Sequence, residues 1–555
     1  MKIIVLLSIL LINICFAIGQ VNKQVGLITN LPGNSEGYVL FSPMNFTSTY
    51  IIDKCGKLVK EWKSKYKTVN STHLDNQGNL WRTAQMLSKY FNAGGKGGII
   101  EKFDWNNKLL WTFLYSDSNK CLHHDFVVLK NGNILALTWE KITLKESEIS
   151  GKKSKFINDS LWSEKIIEVQ PIGVDSFKIV WEWRVWDHLI QDGDSLKNNY
   201  GEIKDHPEKV NINYSSTTNE VNKSDWIHLN SIDYNDKLDQ IIVSSLEFCE
   251  IWIIDHSTST LEAKSNNKGK YNKGGDLLYR WGNSRTYNRG SNENQKLFGQ
   301  HDARWITEDE NNNGKISIFN NGNRRTGGVN YSTAEIISTP NINGEYTLTN
   351  NNYKPDSADW IYMDIDPIKL YSSNLSGVNV LYNGNVLITV GNSGTIFEIN
   401  QFGKTLWKYQ NPVGSIGPVM QGNPVPGPLL FKSNFYAKNY DGFVGKQLIS
   451  KDPIEVNPIT YECETSLVEF DLVKNLNEEI LYPNPINSNN KFITILNKNT
   501  SYDKAILYDV TGKIMMNFSV IGNSIDLKNL SLTPGKYFVE LKGLKKNKLL
   551  ELICN

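Results

Sequence analysis

An all-β fold, a six-bladed β-propeller followed by a small C-terminal β-sandwich, is what this sequence predicts, and three observations predict it. Short apolar runs broken by Asn-Gly turns recur along a chain of 555 residues that carries 41 glycines, 17 prolines and 25 tyrosines. A two-part unit repeats six times: an apolar strand closing on a turn such as Asn-Gly-Asn, then a strand ending in an acidic residue, a turn and a tryptophan. Patterns of helical period are almost absent. The composition, 40% hydrophobic and 21% charged with 59 basic against 58 acidic side chains, is that of an ordinary globular protein. It supplies no basic field for nucleic acid.

Residues 1–19 read as a secretory signal: Lys2, the apolar run 3–18, then Ala17-Ile18-Gly19 at the cleavage spacing. Lipid modification at Cys15 is disfavoured by bulky Ile14. No later apolar run is long enough to cross a bilayer, so the mature chain is expected to have no transmembrane segment. The remaining cysteines, Cys55, Cys121, Cys249, Cys463 and Cys554, are odd in number and include no C-x-x-C pair, so disulfides are not expected to hold the fold.

The propeller is expected over 20–470. Its first unit, 37–62, holds Tyr50-Ile51-Ile52-Asp53, a turn at Cys55-Gly56, and Trp62. The second runs from Thr72 through Gly98-Ile99-Ile100-Glu101 to Trp111, and the third from His124-Asp125 through Asn131-Gly132-Asn133 to Trp181. The fourth spans His228 to Trp281. The fifth begins His301-Asp302-Ala303 and ends less clearly near Trp360, and the sixth runs from Val378 to Trp407. One four-stranded unit cannot cover its own apolar faces, so the six should stack radially, the tryptophans wedged between blades. After a linker at 471–480 the character changes over 481–555, where Tyr482-Pro483-Asn484-Pro485, Tyr508-Asp509 with Thr511-Gly512-Lys513, and Pro534-Gly535-Lys536-Tyr537 mark a small β-sandwich.

In a propeller the innermost strand of each blade lines a central channel, and its first residues face one mouth. That ranks the eight histidines. His124, His228 and His301 open the first strands of blades three, four and five and should converge, while His73 holds a comparable place in blade two. His188 reads as buried structure, and His206 and His256 have no motif behind them. Converging imidazoles suit metal binding, proton relay or nucleophilic attack, and spacing alone does not choose among these. Trp226, Phe248 and Trp305 near the mouth read as core packing rather than as platforms for an aromatic ring.

The blocks His123-His124-Asp125 with Asn131-Gly132-Asn133, Asp225-Trp226-Ile227-His228-Leu229-Asn230-Ser231, and Gly299-Gln300-His301-Asp302-Ala303 with Phe319-Asn320-Asn321-Gly322 resemble the bacterial arylsulfate sulfotransferases. The resemblance implies a nucleotide-independent, ping-pong transfer of a sulfuryl group from a phenolic sulfate ester to a phenol, with no cofactor and no metal. His301 matches the family's nucleophile, a transient N-sulfohistidine. His228 and Asn230 match the residues that hold the sulfuryl oxygens and assist the phenolic oxygen, and His124, or its neighbour His123, matches the remaining histidine. The family's arginine after Ser-Ser is replaced: Ser244-Ser245 is followed by Leu246. Arg304, Arg324 and Arg325 lie near the His301 block in sequence, and the surface reading is favoured for all three.

The stretch from Leu481 onward resembles the type IX secretion sorting domain, which implies passage through the periplasm to a secreted or surface-attached state, with the type IX machinery as a partner. Two rivals remain at this level. One is a metal-dependent enzyme using the same histidines, and the other a non-catalytic propeller binding glycans or small aromatics.

Overall fold

The computed structural model describes residues 23–459 apart from 87–88, 154–159, 216–223, 324, 326–327 and 350–351, together with Cys463 and most of 480–554. The expected signal, nearly all of the expected linker, and Arg324 lie outside these. The chain divides into two compact units, Met1–Thr460 and Tyr461–Asn555.

The first unit is a six-bladed propeller of small antiparallel sheets. Its innermost strands, blade by blade, are Leu430–Ala437, Thr68–Leu74, Lys120–Val128, Leu229–Asn235, His301–Trp305 and Gly377–Val380. Each touches the next, and the last touches the first, so they close a ring. Blade one therefore differs from the unit read in the sequence. Its innermost strand is not contiguous with 37–62 but comes from Leu430–Ala437, which pairs with Gly37–Pro43. Blade six gains a fifth, outer strand from Gly26–Asn30. Both ends of the unit are thus stitched into the ring, which leaves no open first or last blade.

The tryptophans explain how blades hold one another. Trp62, Trp111, Trp181, Trp281 and Trp407 donate their indole N–H to Asp104, Ser176, Thr258, Pro355 and Lys54 of the following blade, at 2.7 to 3.3 Å. Each acceptor precedes that blade's outermost strand or, for Ser176, opens it. Trp62, Trp111, Trp181, Trp281 and Trp407 are at most 4% exposed, so each one buries a large ring between sheets and satisfies its single donor there. Trp360, at the less clearly read end of blade five, is only partly buried against the apolar core shared with blade six.

Helix is confined to short pieces such as Leu144–Ile149, which Thr143 and Glu146 close with a capping box. The second unit is one seven-stranded antiparallel sheet from Ile480–Tyr482 to Asn547–Cys554. It curls over a core that includes Leu481, Ile493, Leu507, Val539 and Leu552. Cys55 and Cys463 are in disulfide form, which the spacing of the cysteines did not announce. Among the described residues no helix is long and apolar enough to cross a membrane.

Candidate active site

The inner strands meet at a charged hub. Lys432, on the innermost strand of blade one, places Nζ 2.7 Å from Asp125 of blade three and 3.2 Å from Asp302 of blade five. Arg304 bonds Asp302 at 2.5 Å and reaches Asn379 and Asn434. This corrects the surface reading of Arg304, whose side chain is only 17% exposed because its charge is consumed inside the channel. Arg325 is likewise partly buried, with its guanidinium over the rings of Tyr331 and Phe298. Each hub carboxylate also accepts a backbone N–H from the next blade, Ile232 for Asp125 and Val378 for Asp302. The cations outweigh the burial that opposes ionisation, and both carboxyls are held below the usual range.

One residue before each of these aspartates stands a histidine. His301 opens its strand, His228 directly precedes its own, and His124 lies inside Lys120–Val128 rather than at its start. Pairing in blade three continues past a register shift, from Phe126↔Ala136 to Leu122↔Thr138, so the strand runs on beyond the histidine. His124 and His228 both have positive φ, 46° and 55°. A left-handed residue in or beside a strand breaks the alternation of side chains, at some cost in strain.

His124 and His228 meet edge to face with ring centroids 4.5 Å apart. His301 is near enough to feel the charge of His228, and His124 near enough to feel that of His301. The protonation of His301 follows from its neighbours. Asn321 donates both amide hydrogens, to Ser372 and Leu375 carbonyls at 2.8 and 3.0 Å, so its oxygen faces His301 Nδ1 at 2.8 Å. That nitrogen therefore carries the proton, and the lone pair of Nε2 accepts the Leu375 N–H at 3.3 Å. Burial pushes His301 down to about 4, against the Asn321 bond and with help from the positive charge of His228. His124 is also held well below its ordinary value by burial and by the other imidazoles.

His228 goes the other way. Burial alone would lower it, but Asp225, 2.5 Å from Nδ1, outweighs that with support from Glu247 and Glu164, and its pKa is raised. Two neighbouring imidazoles thus prefer opposite protonation states.

Asn230 donates to the carbonyl of Gln300 at 2.7 Å, immediately before His301, and its buried Oδ1 has no hydrogen-bond partner among the described residues. The buried indole N–H of Trp139, whose ring lies 6.5 Å from that of His228, also lacks an acceptor. His123 stacks on Trp139 at 4.2 Å and bonds Glu164 and His124 rather than facing the mouth. His73 is not in the trio but near the hub, 3.8 Å from Asp125. His188 is fully buried between Asp276 and the Ala263 carbonyl, a structural residue. His206 and His256 bond carboxylates elsewhere, His206 to Glu208 and His256 to Asp239 and Glu168. Trp226, Phe248 and Trp305 are core residues. Among the described residues no group of three histidine, cysteine or acidic side chains is arranged to hold a metal ion.

Residues 22–482 match the arylsulfotransferase family. The chain belongs to this family. Membership supports sulfotransferase activity in general. Residues 480–555 match the secretion system C-terminal sorting domain, which implies export to a secreted or surface location. Comparison with curated proteins found no match. Among solved structures, the arylsulfotransferase-family chain is similar to a Bacteroides caccae protein of unknown function, at 11% identity over 72% of this chain and 98% of the other, with a TM-score of 0.39. It is also similar to virginiamycin B lyase from Staphylococcus aureus, at 9% identity over 70% and 88%, TM-score 0.32. AztD from Citrobacter koseri is similar at 9% identity over 72% and 99%, TM-score 0.31.

Sequence reasoning missed Asn321, Asp225, Glu164, Lys432 and Gly95. The first two stood inside quoted blocks without a role. Gly95 has φ +76°, and a Cβ there would overlap the His124 ring, while its carbonyl accepts the His124 N–H at 2.8 Å. Gly95→Ala is expected to displace His124 and lower kcat/KM roughly tenfold. Steady-state kinetics beside a thermal melt would check this, since the global fold should survive.

Proposed function

We propose that this chain moves a sulfuryl group from a phenolic sulfate ester to a phenol, without a nucleotide, through a transient sulfohistidine at His301. The observation that carries the reading is the contrast at Nδ1: His301 faces the amide oxygen of Asn321 at 2.8 Å, while His228 faces the carboxylate of Asp225 at 2.5 Å. Sulfuryl transfer spreads negative charge over the equatorial oxygens of a loose in-line transition state, so the protein mainly positions reactants and supplies donors. The unprotonated Nε2 of His301 gives up the Leu375 N–H and attacks sulfur, and the departing phenolate takes a proton from the His228 imidazolium, which Asp225 orients. With Leu246 where the family has arginine, His228 is the cation left to this role. Asn230 is assigned to the sulfuryl oxygens through its remaining amide hydrogen, and His124 to the acceptor side.

Activity then needs His301 neutral and His228 charged. Transfer should fall as pH drops through about 4, where Nε2 of His301 takes a proton. It should also fall as pH climbs past the raised value of His228. The kcat/KM profile for an aryl sulfate tests both limbs, and a flat profile would contradict the assignment.

The sorting tail supports export by the type IX machinery, reached through the periplasm. Mass spectrometry of the protein mixed with 4-nitrophenyl sulfate alone tests the central step. A sulfo adduct on His301 is expected, and an unmodified His301 with continued turnover would refute it. Metal analysis of the same sample separates a metalloenzyme, which would carry stoichiometric zinc or copper.

A further inference from the structure

Behind His124 two buried side chains stand in line, His123 and then Glu164. Glu164 is fully buried, and its Oε2 lies 2.9 Å from His123 Nε2 while its Oε1 accepts the Leu229 N–H at 2.9 Å. His123 Nδ1 lies 2.9 Å from His124 Nδ1, and its ring is clamped flat against Trp139. An ionised carboxylate can only accept, so with Glu164 as the anion His123 Nε2 carries the hydrogen of that contact. A neutral His123 then has a bare Nδ1. The only hydrogen available to the contact between the two rings is therefore on His124 Nδ1. That leaves His124 Nε2 without a proton.

We infer that Glu164 and His123 are positioning residues that fix this tautomer, making His124 Nε2 the base for the acceptor phenol. The inference rests on the sulfohistidine reading and adds a division of labour to it. In loading, the Nε2–S bond forms on His301, the S–O bond of the donor breaks, and the leaving phenolate takes the His228 proton. In discharge, the acceptor O–H gives its proton to His124 Nε2 as its oxygen bonds sulfur, and the S–N electron pair returns to His301. His124 then passes a proton to His228, whose ring it touches. The sum is one ester and one phenol exchanged, with every proton returned.

Burst kinetics separate the two halves. Nitrophenol release from 4-nitrophenyl sulfate reads loading, and loss of the adduct after adding phenol reads discharge. In His123→Leu the ratio of discharge rate to loading rate should fall at least about tenfold. A smaller change, or equal slowing of both, overturns the inference. Nitrogen NMR of labelled histidine in the unsubstituted protein gives a test independent of that variant's folding. His124 should show a protonated Nδ1 and a bare Nε2, and the opposite tautomer would also overturn the inference. If the unsubstituted protein forms no adduct, it is the sulfohistidine reading itself that fails.

Discussion

His301→Asn is expected to lower transfer from 4-nitrophenyl sulfate to phenol by at least about 10³-fold, because the other unprotonated Nε2 in the site, that of His124, is assigned to the acceptor and not to sulfur. An asparagine fills similar space and can keep a hydrogen bond to Asn321, so the fold should stay intact. The melting temperature should move little while nitrophenol release and the adduct both vanish. His228→Asn would be a different lesion. It removes the proton donor and leaves the nucleophile, so the loss should shrink as the donor's leaving phenol becomes more acidic. Comparing aryl sulfates of rising leaving-group acidity tells the two variants apart. If His301→Asn turns over normally, the nucleophile lies elsewhere.

The second large effect concerns the hub. Lys432→Met should cost about 3–5 kcal/mol, because it strips the shared cation from two buried carboxylates. The sign with pH can be worked out. Asp125 and Asp302 are depressed in the folded state, so their stabilising contribution is present above the unfolded carboxylate value of about 4 and is lost as pH falls through their lower folded values. In the variant Asp302 keeps Arg304, but Asp125 loses its main cation and resists ionisation, and protonating it relieves the penalty. The gap between parent and variant in denaturant melts should therefore narrow as pH falls from 7 toward 4. A gap that stays constant would mean that the loss comes from packing and not from charge.

The blades were legible because each repeats the same apolar alternation and ends in a tryptophan, and a sheet that buries both faces writes its period into the chain. Blade one's missing strand was not, since Leu430–Ala437 is a lone strand far from its partners and carries no turn or tryptophan of its own. The three histidines were found by their place in the repeat. What gives each its character was hidden. Asn321 lies 20 residues from His301 and Glu164 lies 41 from His123, contacts made by sheet register rather than by local spacing. Arg304 was misread for a related reason. A lone arginine in sequence looks solvated, and only the ring of inner strands shows that Asp302, Asn379 and Asn434 surround it.

The strand Leu430–Ala437 also dictates an order of events. A ribosome must deliver nearly the whole of this unit before Gly37–Pro43 finds its neighbour, so until then the nascent chain shows a bare, apolar strand edge. Closure is thus a late, all-or-none step, and a chain ending short of residue 430 keeps that edge open to other chains.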